Sequence, residues 1–155
     1  MIGNTMRHRQ CLIIGYGNPL RGDDGFGLAV AEQLQETLDP ESGFVIACQQ
    51  LVPELAEPIS RADVVIFVDA RVGEPAGLVE CERLRPAPLS PTATVHHADP
   101  KGLLALARGL YGATPNRAFL LTVRTLHFWY SESLSPEVRK AIPEAVERIQ
   151  KILHR

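Results

Sequence analysis

The sequence has few of the features that mark secreted, membrane-bound or nucleic-acid-binding proteins. Its 155 residues contain three cysteines and no CxxC pair, which gives poor support to a cysteine-based zinc site. The net charge of -2 and the pI near 6.2 come without any basic stripe, so nucleic acid is not an expected partner. No apolar run approaches the roughly 20 residues of a membrane helix, and none forms a signal-peptide core.

The composition is that of an ordinary globular protein, with 45% hydrophobic and 22% charged residues. We expect a single domain over residues 1 to 155, with the polar residues 1 to 10 loosely attached or disordered. Cys11 and Cys48 lie in apolar runs, where a free cysteine usually behaves as a small buried hydrophobe. Unpaired thiols favour a cytoplasmic location. No long apolar stripe demands a partner subunit, so we expect a monomer.

Short apolar runs alternate with helical patterns, which predicts an α/β domain with a mainly parallel sheet. Strands are predicted at residues 11–14, 44–47, 64–68, 77–84 and 119–126, the fourth at a sheet edge. Helices are predicted at 26–38 and 53–60, from the Asp99-Pro100 pair onward, and from the Ser135-Pro136 pair to Leu153. Prolines make residues 85–94 a loop, and Pro143 is expected to kink or split the last helix.

The first predicted strand leads into a glycine-rich loop, Gly-Tyr-Gly-Asn-Pro-Leu-Arg-Gly-Asp-Asp-Gly at residues 15–25. The adjacent acids Asp23 and Asp24 precede a predicted helix, where one carboxylate would serve as a cap and its neighbour would be solvated. A phosphate-binding interpretation is weak, because the third glycine and the Lys-Ser/Thr pair of such loops are absent. A cation is the better ligand for two carboxylates.

Asp69 follows the most apolar predicted strand, residues 64–68. By itself it could cap a turn or meet solvent. If the first and third strands are neighbours, as in the common 2-1-3 order, their carboxyl ends share one crevice. Asp24 and Asp69 would then face each other, and a bound metal would allow both to stay ionised.

His96 and His97 follow the proline loop and precede the helix that begins near Asp99. A histidine pair in a loop is often only a surface feature. Here the loop rejoins the domain at the same predicted sheet edge as the two acids. One imidazole and two carboxylates form a ligand set that suits zinc, nickel or a similar ion and leaves a position open for water or substrate.

The loop at residues 15–27 closely resembles the opening signature of the hydrogenase maturation endopeptidases. The resemblance continues through Leu-Val-Pro-Glu-Leu-Ala at 51–56, Val-Val-Ile-Phe-Val-Asp-Ala at 64–70 and the two histidines before a Leu-rich helix. It spans roughly residues 11 to 153 in the right order. It implies a three-layer α/β/α fold around a twisted five-stranded sheet.

The resemblance also implies a function and a site. Members of this family act late in hydrogenase assembly and remove a short C-terminal extension from the nickel-loaded large-subunit precursor. Their metal-binding acid, aspartate and histidine correspond to Asp24, Asp69 and His96, with His97 as the alternative to His96. The nickel would come with the precursor, and zinc or cadmium could replace it in vitro.

Substrate recognition is expected from Cys48, Gln49, Gln50 and Leu51, together with Asp23 and His97. The Gln-Leu-x-Pro-Glu-Leu pattern at 50–55 is similar to that of proteases serving bidirectional, NAD(P)-linked hydrogenases, although such members more often carry His where this chain has Cys48. Two other functions stay open. One is a non-catalytic metal-binding assembly factor that docks on the precursor, and the other is a Rossmann-like nucleotide-binding domain, which the acids in the glycine loop disfavour.

Overall fold

A computed structural model describes residues 10 to 88 and 99 to 155 of the chain. These residues form a five-stranded sheet whose strands lie in the order β2-β1-β3-β5-β4. The strands are β1 (Cys11–Tyr16), β2 (Phe44–Cys48), β3 (Val64–Val72), β4 (Val79–Arg83) and β5 (Arg117–Thr125). All neighbours are parallel except β4, which pairs antiparallel with β5 at one edge. The prediction of a mainly parallel sheet in the 2-1-3 order is confirmed.

Four helices cover the two faces of the sheet: α1 (Phe26–Thr37), α2 (Ala56–Arg61), α3 (Pro100–Tyr111) and α4 (Pro136–Leu153). Short 3-10 turns at Gly22–Gly25 and Pro53–Leu55 precede α1 and α2. Helices α1 and α4 pack together on one face, and α2 and α3 pack together on the other. The expected three-layer α/β/α arrangement is therefore confirmed. No helix in the two described ranges is long and apolar enough to cross a membrane.

The central strands are apolar on both faces because a helical layer covers each face. Alternate residues point in opposite directions, so Ile66 and Val68 of β3 pack in the core under α1 and α4. Val65 and Phe67 pack in the second core under α2 and α3. All four side chains are fully buried. This continuous burial holds the carboxyl ends of β1 and β3 in a fixed relative position.

Helix α4 departs from the sequence prediction at two positions. Of the two outcomes expected at Pro143, a split is wrong, because the proline lies inside a continuous helix, and a kink stays a prediction. Pro143 and Arg139, whose carbonyl loses its helical donor at the proline, are both exposed, so water can replace that bond. Ser135 begins the helix as predicted, but its side chain makes no capping hydrogen bond. Its hydroxyl is instead bonded to Asp23.

Strand β3 extends further than predicted, and Asp69 therefore does not end it. The pairing of β1 with β3 stops at Gly15 and Val68, while the pairing of β3 with β5 continues from Asp69 to Val72. Asp69 is thus the first residue of β3 beyond its ladder with β1. It remains anchored by β5 on one side and is open on the side where β1 has turned away.

Candidate metal centre

Asp24 and Asp69 lie at the carboxyl edge of two adjacent parallel strands. Asp69 is in β3, and Asp24 is in the 3-10 turn of the loop that leaves β1. The two carboxylates are close enough that the charge of Asp24 acts on Asp69. The strand order thus places the two acids at the same edge of the sheet, the edge at which ligands bind in open α/β sheets, and their role as metal ligands stays a prediction.

The backbone of the glycine-rich loop fixes the position of Asp24. Its Oδ2 accepts a hydrogen bond of 2.8 Å from the backbone N–H of Asn18. Gly17 has a φ of 144°, and a Cβ there would collide with the carbonyl oxygen of Asp24. A side chain at this position is therefore excluded by both conformation and space. The loop folds back on itself and presents Asp24 half-buried beside the end of β1.

Close packing of α1 brings the acidic turn onto the strand ends. A Cβ on Gly27 would lie only 2.7 Å from the backbone nitrogen of Tyr16, and closer still to the carbonyl oxygen of Val68. Only glycine permits this approach of helix to sheet. The capping interpretation of the adjacent acids is wrong, because the N-cap residue of α1 is Gly25 and no side chain caps the helix.

The surroundings of Asp69 create an electrostatic conflict, because they disfavour the ionised form of its carboxyl group. Burial raises its pKa from 3.8 to about 6, and the negative charge of Asp24 adds to the rise. Hydrogen bonds from the backbone N–H of Ala70, at 2.7 Å, and from the Tyr16 hydroxyl only partly offset these effects. A cation between Asp24 and Asp69 would remove the conflict by favouring the ionised form of both.

Tyr16 is a site residue that the sequence analysis missed. It is the last residue of β1, and its hydroxyl bonds to the Asp69 carboxylate. Burial, followed by the negative charge of Asp69, raises the pKa of Tyr16 far above its usual range. The hydroxyl therefore keeps its proton and donates to Asp69. Its place at the end of a strand, just before Gly17, is the signal that could have found it.

Asp23 is built differently from its neighbour. It is buried, and its carboxylate accepts three hydrogen bonds: from the Thr125 hydroxyl at 2.5 Å, from the backbone N–H of Ser135 at 2.7 Å and from the Ser135 hydroxyl at 2.9 Å. Thr125 ends β5 and Ser135 begins α4. Asp23 thus joins the first loop to two distant elements. Its predicted contact with a substrate stays a prediction.

The segment after β2, from which substrate recognition was expected, runs alongside the site. Cys48 pairs with Tyr16 across the strands, and its carbonyl accepts a 3.3 Å hydrogen bond from the N–H of Gly17. Burial raises the pKa of the Cys48 thiol. Gln49 and Gln50 are exposed, whereas Leu51 is buried under α2 and α3. Only the two glutamines offer accessible side chains at the end of this segment.

The third predicted ligand cannot be placed, because His96 and His97 lie outside the described residues. Within residues 10–88 and 99–155, no group of three His, Cys, Asp or Glu side chains is arranged to hold a metal. The helix that follows the histidines does begin at this edge: Asp99 caps α3 by accepting a 2.6 Å bond from the N–H of Gly102. The charge of Asp99 also acts on Tyr16.

A cavity of about 450 Å³ lies at the opposite, amino edge of the sheet. It is lined by residues that precede β1, β3 and β5, including Gln10, Asp63 and Asn116. Neither Asp24 nor Asp69 borders it. We assign the chemistry to the carboxylates rather than to this cavity, because ligands in such sheets bind beyond the carboxyl ends of the strands.

No family model matches the sequence, and no curated protein is significantly similar to it. Solved structures do resemble this chain, and the fold is that of hydrogenase maturation endopeptidases. One is the hydrogenase maturating endopeptidase HybD from E. coli, with a TM-score of 0.76 and 22% identity over 94% of this chain and 92% of that one.

Two archaeal structures are similar over nearly their whole lengths. The hydrogenase 2 maturation peptidase from a Thaumarchaeota archaeon has a TM-score of 0.71 and 25% identity over 94% of this chain and 99% of that one. The hydrogenase maturation protease HycI from Thermococcus kodakarensis has a TM-score of 0.72 and 24% identity over 97% and 96%. At these identities the likeness establishes a shared fold.

Proposed function

We propose that this chain is an endopeptidase that removes a short C-terminal extension from the nickel-loaded precursor of a nickel–iron hydrogenase large subunit. The observation that carries the proposal is the pair Asp24 and Asp69 at the carboxyl edge of β1 and β3. Among the residues that the structure describes, neither carboxylate forms an ion pair with Lys or Arg. The fold shared with the maturation endopeptidases supports this choice of reaction and partner.

In this proposal the nickel belongs to the substrate. Asp24, Asp69 and His96 would contribute two carboxylates and an imidazole, a donor set that suits a borderline divalent ion and does not complete its coordination. When bound, the ion would polarise the scissile carbonyl or lower the pKa of a water molecule. Zinc or cadmium could fill the same ligands in vitro.

The residues of the chain would hold and orient this arrangement. The Asn18 N–H fixes one oxygen of Asp24, and the Ala70 N–H fixes one oxygen of Asp69. The Tyr16 hydroxyl donates a further hydrogen bond to the Asp69 carboxylate and so restricts the orientation of that side chain. Both carboxylates keep further lone pairs for a cation.

The cognate substrate we favour is a cytoplasmic, bidirectional, NAD(P)-linked hydrogenase. Support comes from the Gln-Leu-x-Pro-Glu-Leu pattern that follows β2 at residues 50–55. Gln49 and Gln50 are exposed next to the site and can contact a substrate directly. The chain is proposed to act as a monomer on this precursor.

The test incubates the purified protein with nickel-loaded and nickel-free precursor and follows the C-terminal mass. We expect shortening of the loaded form alone, and its loss with Asp24→Asn, Asp69→Asn or His96→Ala. Asp39→Asn is the matched control, since Asp39 is exposed beyond the far end of α1. A loaded precursor that stays intact would overturn the proposal, and a stable complex without cleavage would favour the non-catalytic assembly factor.

A further inference from the structure

The loop between β5 and α4, residues 126 to 134, exposes apolar side chains beside the candidate site. Trp129 is 66% and Tyr130 85% exposed, and Leu126 is 53% exposed at the start of the loop. Leu20, from the first loop, is 46% exposed. We call these four side chains the aromatic patch. Two exposed aromatic rings together with two exposed leucines are typical of surfaces that bind a partner.

The loop is held, not merely exposed. Asp23 bonds to Thr125, directly before the loop, and to Ser135, directly after it. In the middle, the N–H of Ser131 donates to the Leu20 carbonyl at 3.0 Å, and the N–H of Gly22 donates to the Ser131 carbonyl at 2.7 Å. The loop is therefore fastened at both ends and at its centre to the loop that carries Asp24.

Some side chains of the loop anchor it to the core, and others are exposed to solvent. Phe128 packs against the core under α1 and α4, and the guanidinium of Arg21 lies 5.7 Å from its ring centre. Trp129 stacks edge to face on His127, with ring centres 4.7 Å apart. Pre-ordering of this kind lowers the entropic cost of binding.

We propose that the aromatic patch binds an extended, apolar stretch of the precursor polypeptide that adjoins the scissile bond, with Trp129 and Tyr130 as specificity-determining residues. This inference rests on the proposed function. Its basis is continuity: Asp23 joins both ends of the loop that carries the patch to the loop of Asp24, so a chain bound on the patch lies next to the loop that carries this carboxylate. A second copy of the protein is a poorer occupant. A stable interface buries roughly 800 Å² of each partner, and four partly covered side chains offer less area than that.

Trp129 is the only tryptophan in the sequence, so its fluorescence reports on the patch directly. The probe is a tryptophan-free synthetic peptide that spans the cleavage junction of the precursor. We expect a blue shift of the emission and reduced quenching by acrylamide when the peptide binds. Emission that is already blue-shifted and protected in the free protein would overturn the inference, since another part of the chain would then cover the ring. A shift that depends on protein concentration alone would overturn it in favour of a dimer.

Kinetics with the nickel-loaded precursor provide the second measurement. Trp129→Ala and Tyr130→Ala are expected to raise KM about tenfold each, as anchor side chains do, with little change in kcat. Tyr111→Ala is the matched control, because Tyr111 is 50% exposed at the far end of α3. Unchanged KM values with an active wild-type protein would refute the docking surface and leave the endopeptidase intact. A peptide-induced shift without any cleavage would refute the endopeptidase and leave the surface.

Discussion

Asp23 and Asp24 are chemically identical neighbours in one short turn, yet their surroundings are opposite. Every oxygen of Asp23 is satisfied by Thr125 and Ser135, and the side chain is 8% exposed. Asp24 accepts one bond from Asn18 and lies close enough to the Asp69 carboxylate for their charges to interact. A buried charge whose hydrogen bonds are complete is held in place by its partners, whereas an incompletely satisfied one beside a like charge is available to a ligand.

The largest effect expected from this contrast is on activity. Asp24→Asn removes a proposed anionic ligand to the substrate's metal, an interaction worth several kcal/mol, and should lower the cleavage rate at least about a hundredfold. Asp23→Asn should lower it far less as long as the protein is folded. Single-turnover cleavage of loaded precursor measures both. Equal losses in the two variants would mean that the neighbours do not divide their roles in this way.

The second effect is on stability and has the reverse order. Asp23→Ala removes the acceptor of two Ser135 donors and leaves the Thr125 hydroxyl with only its 3.3 Å bond to the His127 carbonyl, and should reduce the free energy of unfolding by about 3 kcal/mol. Asp24→Ala removes one half-buried acceptor but also the repulsion of Asp69, and should cost at most about 1 kcal/mol. Urea unfolding of both variants gives the comparison. A larger loss for Asp24 than for Asp23 would contradict it.

A third prediction concerns pH. Because the folded protein raises the pKa of Asp69 from 3.8 to about 6, the folded state binds this proton more tightly than the unfolded state does. The contribution of Asp69 to stability is therefore most favourable below about pH 4 and declines as pH rises to about 6, by at most about 3 kcal/mol.

Asp69→Asn should remove this decline and be more stable than the wild type at pH 7.5 but not at pH 4. Paired urea titrations at the two pH values measure the difference, which cancels the contributions of other carboxyl groups. Asp39→Asn, at an exposed aspartate, is the control and should show no such pH-dependent gain. A difference that is the same at both pH values would show that burial does not perturb Asp69.

The smallest predicted effect tests a single bond of Asp23. Thr125→Val keeps the shape of the side chain but removes the 2.5 Å bond to the carboxylate, and should cost about 1.5 kcal/mol. Thr37→Val removes an exposed hydroxyl bond, to the Gln33 carbonyl of the same helix, which water can replace, and should change stability by less than about 0.5 kcal/mol. Thermal or urea unfolding distinguishes the two. Equal values would mean that the Thr125–Asp23 bond contributes nothing of its own.

The sheet and the two carboxylates were predictable because their signals are local. Apolar runs revealed the strands, and parallel strands meet at one edge, so Asp24 and Asp69 could be brought together by topology alone. The role of Asp23 could not be predicted, since its partners are 102 and 112 residues away in the chain. The length of β3 beyond Asp69 depends on pairing with β5, which periodicity does not reveal. The predicted roles of His96 and His97 stay predictions.

The aromatic patch escaped prediction for a related reason. Residues 126 to 134 have neither strand nor helix periodicity, and only the structure shows that Phe128 turns inward while Trp129 and Tyr130 turn outward. Tyr16 was missed for the same reason. A tyrosine at the end of an apolar strand is expected in the core, and only the structure shows that its hydroxyl is bonded to Asp69.

Asp23 is bonded to the two residues that flank the loop at 126 to 134, so the loop can be replaced as a unit. Thr125 is the last residue of β5, and Ser135 is the N-cap residue of α4. Neither needs to change when the residues between them are replaced. Replacing the interior while keeping Phe128 and Ser131 as internal anchors would change the proposed docking surface and leave the loop that carries Asp24 unchanged. Selectivity and chemistry would thus be separable by engineering, although one aspartate couples them in space.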